Sequence, residues 1–178
     1  KKNNYSIKKV GEIPLVSGGI ANNLINTHID NGEMHEKTLK LLTIGAAVGS
    51  TASSLMIDKD KIIMMGGLQW GDEYAPSNHT NLIDISNSFD PKITKLKSMH
   101  IARTNLNSTI LPNGEIFVNG GSSYSEHDFS ALMPEIYNLK TNTWKLLTPG
   151  HFRRNYHGST LLLSNGTLLI AGGDIWSA

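Results

Sequence analysis

The sequence predicts an all-β fold built as a ring of short antiparallel sheets, and three observations carry that prediction. Double glycines fall at positions 66–67, 120–121 and 172–173, spaced by 54 and then 52 residues. Each pair closes a strand-turn-strand unit, with turn residues at Asp58-Lys59-Asp60, Asn113-Gly114 and Asn165-Gly166. The chain is 39% hydrophobic and 17% charged and carries 17 glycines, which suits a β domain rich in tight turns. A period near 50 residues with the same hairpin and double glycine in every unit is the mark of a kelch-type β-propeller. No such unit can cover both faces of its own small sheet, so neighbours must stack around an axis.

In chain order, residues 1–46 divide least clearly. Tyr5–Val10, Ile13–Val16 and Thr38–Leu42 are candidate strands, Asp30-Asn31-Gly32 is a turn signal, and Gly18-Gly19 is a weak fourth mark. Residues 49–67 hold the first clear hairpin, Ser53–Gly67 reading SSLMIDKDKIIMMGG. Residues 68–82 form a long polar loop with Trp70 and Tyr74, and propeller loops of that length carry function. Asn81–Ile85 and Ile93–Leu96, split at Asp90-Pro91, are the outer strands of that blade.

The second hairpin, near 103–121, is ARTNLNSTILPNGEIFVNGG from Ala102 to Gly121. A second long loop, residues 122–132, presents Tyr124 and Phe129. From Met133 the pattern reads as strand Glu135–Tyr137, polar turn Asn138–Asn142, a strand bearing Trp144, and strands Ser159–Leu163 and Thr167–Ala171. Those four strands are read as one blade, with Asn165-Gly166 as a two-residue type I′ turn. The three hairpins, the last near 154–173, place residues 1–178 within one propeller domain of about three to four four-stranded blades.

Charge and length narrow the function classes. The formal net charge is +1 and no basic stripe stands out, so no nucleic-acid or membrane partner is expected. No apolar run reaches about 18 residues, and no signal-peptide core follows Lys1-Lys2. With no cysteine, these residues hold no disulfide and no thiolate metal site. Propellers close with about 4–8 blades, so the remaining blades or another chain must complete the ring. The expectation is that this is an excerpt of a longer polypeptide that does not fold alone. A cooperative melt of the isolated monomer would refute it.

The stretch from Met133 to Gly173 and the blades before it resemble the galactose oxidase and glyoxal oxidase family of copper radical oxidases. The residues that carry the resemblance are Pro134-Glu135-Ile136-Tyr137, Trp144, and Arg154-Asn155-Tyr156-His157-Gly158-Ser159 running into LLLSNGTLLIAGG. Ala102-Arg103-Thr104 through Leu111-Pro112-Asn113-Gly114 match the preceding blade, and Gly49 to Asp58 with KIIMMGG an earlier one. Coverage runs from about Gly49 to Gly173.

The resemblance implies a seven-bladed ring with one copper ion near its axis, held by two histidines and two tyrosines, one of them cross-linked to a cysteine. Tyr156 would be the axial phenolate that takes the alcohol proton, and His157 an imidazole ligand. The other ligands would lie outside this stretch. Trp70, Tyr74, Tyr124 and Phe129 are the aromatic candidates for substrate contact. The implied function is a secreted, extracellular oxidase turning a primary alcohol, aldehyde or carbohydrate and O2 into product and hydrogen peroxide.

Structural readings of the same residues stand beside these. Neighbouring residues in a regular strand point to opposite faces. Tyr156 and His157 can therefore share a metal only where the backbone leading into the strand is irregular. Otherwise the tyrosine packs in the core and the histidine caps a loop. Arg103 and Arg154 are expected to bridge blade carbonyls, Trp144 to pack between blades, and His79, His100, His127 and His151 to be surface loop residues. The alternative function is a non-catalytic kelch propeller holding a glycan or protein.

Overall fold

The structure, a computed structural model, describes residues 29–30, 33–34, 51–68, 75–87, 91–123 and 131–173. Twelve strands lie among them and no helix. β1 (Ile29–Asp30) and β2 (Glu33–Met34) form a minimal antiparallel pair with Asp30 opposite Glu33. The first four-stranded sheet contains β3 (Ser53–Asp58), β4 (Lys61–Met65), β5 (Thr80–Asp84) and β6 (Lys92–Lys95), side by side in that order. The second contains β7 (Asn107–Ile110), β8 (Ile116–Asn119), β9 (Glu135–Asn138) and β10 (Thr143–Leu146) in the same order. β11 (Gly158–Leu162) and β12 (Leu168–Gly172) form a separate two-stranded hairpin.

This sheet order corrects one expected grouping. Glu135–Asn138 and Thr143–Leu146 are the outer strands of the preceding blade, since Val118 pairs with Glu135 and Ile116 with Tyr137. They are not partners of β11 and β12. The chain therefore repeats as inner hairpin followed by outer pair, and β11–β12 is an inner hairpin. β3 packs on β7 and β7 on β11, so the first strands of successive units line up. Ser53 and Ser108 join their hydroxyls at 2.6 Å, and Thr160 Oγ1 donates to Asn119 Oδ1 at 2.5 Å.

The core lies between the two four-stranded sheets. Ile63 and Met65 on β4 and Ile116 and Val118 on β8 repeat at period two, and they meet Met99, Leu106, Tyr137 and Trp144. Trp144 spans the units as expected, its indole Nε1 donating to Lys97 O at 2.8 Å. Tyr137 stacks on it with ring centroids 4.8 Å apart, and burial raises the Tyr137 phenol pKa above its ordinary value. On the first sheet's outer edge, β6 exposes Lys92 and Lys95. Charge on an edge strand discourages unwanted pairing there.

The turn at 164–166 differs from the type I′ expectation, and the turn at 112–114 has the same form. Gly114 and Gly166 have φ of 82°, but neither Asn113 nor Asn165 has positive φ. Gly114 N donates to Leu111 O and Leu111 N to Glu115 O, with the same pair of bonds from Gly166 and Leu163. This is a three-residue loop, a type I turn closed by a left-handed glycine. Pro112 sits where a type I turn wants φ near −65°, and Asn165 Oδ1 accepts from Thr167 N at 3.0 Å.

The double glycines join one unit to the next. All six have positive φ, from 64° to 101°. Gly67 N donates to Arg103 O at 2.9 Å and Gly121 N to Arg154 O at 2.8 Å. A Cβ on Gly120 would stand 1.8 Å from Arg154 O, so this joint admits no side chain.

Candidate functional site

The backbone leading into β11 carries the candidate pair. Gly158 N donates to Asn155 O at 3.0 Å, closing a turn around Tyr156 and His157. His157 takes φ of 59°, in the left-handed region that a residue with a Cβ rarely adopts. Its carbonyl accepts from Gly173 N at 3.2 Å. Gly158 is held close, since a Cβ there would lie 2.8 Å from Asn107 Nδ2 and 3.0 Å from Asn155 O.

The turn supplies the irregular backbone that a shared ligand role requires. The Tyr156 and His157 rings lie with centroids 3.7 Å apart and planes tilted by 36°. His157 is exposed and Tyr156 half-buried. A phenol and an imidazole side by side at the head of an inner strand can ligate one transition-metal ion, and the phenol can exchange a proton. Among the described residues no group of three or more His, Cys, Asp or Glu side chains comes together.

Two other units share this left-handed position. In each inner hairpin one residue of the first strand pairs opposite the residue before the double glycine: Ser53 with Met65, Asn107 with Asn119, and Ser159 with Ala171. Two residues earlier stand Thr51 (φ 60°), Asn105 (φ 54°) and His157 (φ 59°). The backbone strain at His157 therefore belongs to the repeat. What is peculiar to the third unit is length. Arg103 and Arg154 offer equivalent carbonyls to Gly67 and Gly121, yet Asn105 is the second residue after its arginine and His157 the third after its own. The third unit has one residue more, at Asn155-Tyr156.

The arginines bridge carbonyls, as expected. Arg103 Nη1 donates to Gly120 O at 3.1 Å and Nη2 to Met133 O at 3.0 Å. Arg154 Nη1 donates to Gly172 O at 3.0 Å. The sequence reading missed the partner of Arg103, which is Glu135. Its Oε1 accepts from Nη2 at 2.8 Å, and both side chains are fully buried. Glu135 also accepts from the backbone N–H groups of His100 and Ile101 at 2.8 and 3.1 Å. Burial lowers the Arg103 pKa, and Glu135 opposes that shift. The arrangement is structural: it ties the lead-in segment of the sheet to its outer strand.

The histidines expected at the surface divide. His151 is exposed, and His79 is half-buried with its pKa lowered by burial and by Lys95. His100 is more than a surface residue, its Nδ1 lying 2.8 Å from Glu135 Oε2. His127 lies outside the described residues, as do Trp70, Tyr74, Tyr124 and Phe129.

Comparison with known proteins bears on this geometry. No protein-family model matches the chain. Two curated galactose oxidases, one from Gibberella zeae strain PH-1 and one from Gibberella zeae, are each 29% identical to it over 125 residues, 66% of this chain and 18% of the relative. A fungal alcohol oxidase of the AA5 family, solved in complex with copper, superposes with a TM-score of 0.60 at 26% identity. That match covers 69% of this chain and 27% of the other. The chain thus spans less than a third of each relative's length.

Proposed function

We propose, from the premise that this chain is a galactose oxidase-like propeller segment, that it forms part of the copper site of a secreted alcohol or aldehyde oxidase. Its similarity to galactose oxidase and to a copper-bound alcohol oxidase supports that premise. The observation that carries the site is the contact of the Tyr156 and His157 rings on a turn one residue longer than its counterpart at Asn105. His157 would hold copper through a neutral imidazole and Tyr156 through its phenolate, a donor pair that suits Cu(II). Copper, once bound, would supply one-electron redox chemistry between a primary alcohol or aldehyde and O2.

This chain contributes positioning and a proton acceptor. The Asn155–Gly158 turn fixes both rings at the head of β11, and the Gly121–Arg154 bond anchors that turn to the preceding sheet. The Tyr156 Oη would accept the substrate hydroxyl proton, a role that requires it within hydrogen-bond reach of that hydroxyl. Further ligands would come from residues beyond those described.

In the complete protein, His157→Ala is expected to abolish copper loading, read by metal analysis, and peroxide release on galactose and methylglyoxal. Tyr156→Phe should keep copper but lower turnover by about 100-fold or more, the scale of a lost acid–base group. Copper content and peroxide release both unchanged in His157→Ala would overturn the assignment and favour a binding module.

A further inference from the structure

Three Asn-x-Thr triplets lie among the described residues: Asn78-His79-Thr80, Asn107-Ser108-Thr109 and Asn165-Gly166-Thr167. Each has the sequence at which an N-linked glycan is attached in a secreted protein. The sugar is bulky and hydrated, so a finished fold carries it only where the amide nitrogen Nδ2 faces open solvent. That requirement separates the three.

Asn78 and Asn107 fail it. Asn78 is half-buried and its Nδ2 donates to Met99 O at 3.0 Å, while Thr80 is fully buried in β5. Asn107 is half-buried at the start of β7, opposite Asn119. A Cβ on Gly158 would lie 2.8 Å from its Nδ2, so that amide faces the next unit.

Asn165 meets it. Asn165, Gly166 and Thr167 are all exposed, and a Cβ on Gly166 would meet no atom within 4 Å. Thr167 N and Thr167 Oγ1 both donate to Asn165 Oδ1, at 3.0 and 2.7 Å. The amide is held by its oxygen, and among the described residues nothing accepts from its Nδ2. The corresponding turn of the second unit shows that neighbouring sheets leave this place open. β7 packs on β3 and on β11, yet Pro112, Asn113 and Gly114 are exposed. There Asn113 Nδ2 donates to Glu115 Oε2 at 2.8 Å, and Glu115 occupies the place of Thr167. The third unit has a hydroxyl, the group that a glycosyl transferase reads, where the second has a carboxylate on the amide.

We propose that Asn165 carries an N-linked oligosaccharide and that Asn78 and Asn107 do not. The proposal rests on the secreted reading and is independent of copper. In the transfer, Nδ2 bonds to the anomeric carbon of an oligosaccharide donated by a polyprenyl pyrophosphate. The carbon–oxygen bond to the pyrophosphate breaks and the pyrophosphate leaves with that electron pair. An Nδ2 proton passes to a base on the transferase. The turn stands at the far end of β11 from Tyr156 and His157, so the sugar leaves their end of the hairpin uncovered.

The test uses the complete protein, directed into the secretory pathway of a eukaryotic host by an added leader peptide. An amidase that releases N-glycans, applied without denaturant in heavy-oxygen water, should convert Asn165 to labelled aspartate. Peptide mass spectra should show Asn78 and Asn107 still as asparagine. Asn165→Gln and Thr167→Ala should each remove one glycan from the intact mass, and Thr167→Ser should retain it. Secreted protein with Asn165 bare, or with Asn78 or Asn107 labelled to the same extent, would overturn the proposal. Expressed from its own N-terminus instead, a protein that loses the glycan would refute the secreted reading and not the site.

Discussion

The second sheet and the hairpin after it begin with the same parts. Both open with an arginine whose carbonyl holds the previous glycine pair, and both pass through a left-handed residue into an inner strand. In the second sheet the arginine ends in a buried acid, and β9 and β10 cover the inner strands. In the third, leucines are exposed, Arg154 meets two carbonyls and a ring among the described residues, and the turn has gained a residue that sets Tyr156 against His157. The common parts make the scaffold, and the departure from them marks the candidate chemistry.

The sharpest way to break this comparison is to remove the acid from the completed unit. In the complete protein, Glu135→Ala leaves Arg103 charged and buried without its partner, and should cost about 4 kcal/mol in urea unfolding. Arg154→Ala in the same complete protein should cost under about 1 kcal/mol, since its contacts are partly exposed. Comparable losses from both would show that the two arginines are equally engaged. Next is the joint between the units. Gly120→Ala drives a methyl into Arg154 O and should cost on the order of 3 kcal/mol. Gly166→Ala meets no atom within 4 Å and should cost only its left-handed backbone strain, about 1 kcal/mol. The smallest effect concerns the shared left-handed site. His157→Gly should stabilise the complete protein by roughly 1 kcal/mol, and Asn105→Gly by less, because asparagine tolerates this region better. A loss of stability in His157→Gly would mean that the ring contact outweighs the strain.

The scaffold was legible in the sequence where the backbone permits one residue type. The double glycines announce themselves because Arg154 O leaves no room for a Cβ at Gly120. Sheet membership was not legible, because Glu135–Leu146 sits between two hairpins and only hydrogen bonding decides its partner. Glu135 hid as one charge in a strand, and the separation from Arg103 was the signal that could have found it. Thr51, Asn105 and His157 share a conformation but no side-chain chemistry, so only φ reveals that they are equivalent. The Tyr156-His157 pair was visible as a dipeptide. Its contact was not, because it depends on a turn that begins at Asn155.

The bonds from the first two glycine pairs to the next arginine carbonyl, Gly67 to Arg103 and Gly121 to Arg154, give assembly a direction. A unit is sealed by its successor, so on a growing nascent chain each hairpin stays half-latched until the following segment leaves the ribosome. Synthesis order and closure order then coincide, and a stall between units would hold the last hairpin open to chaperones.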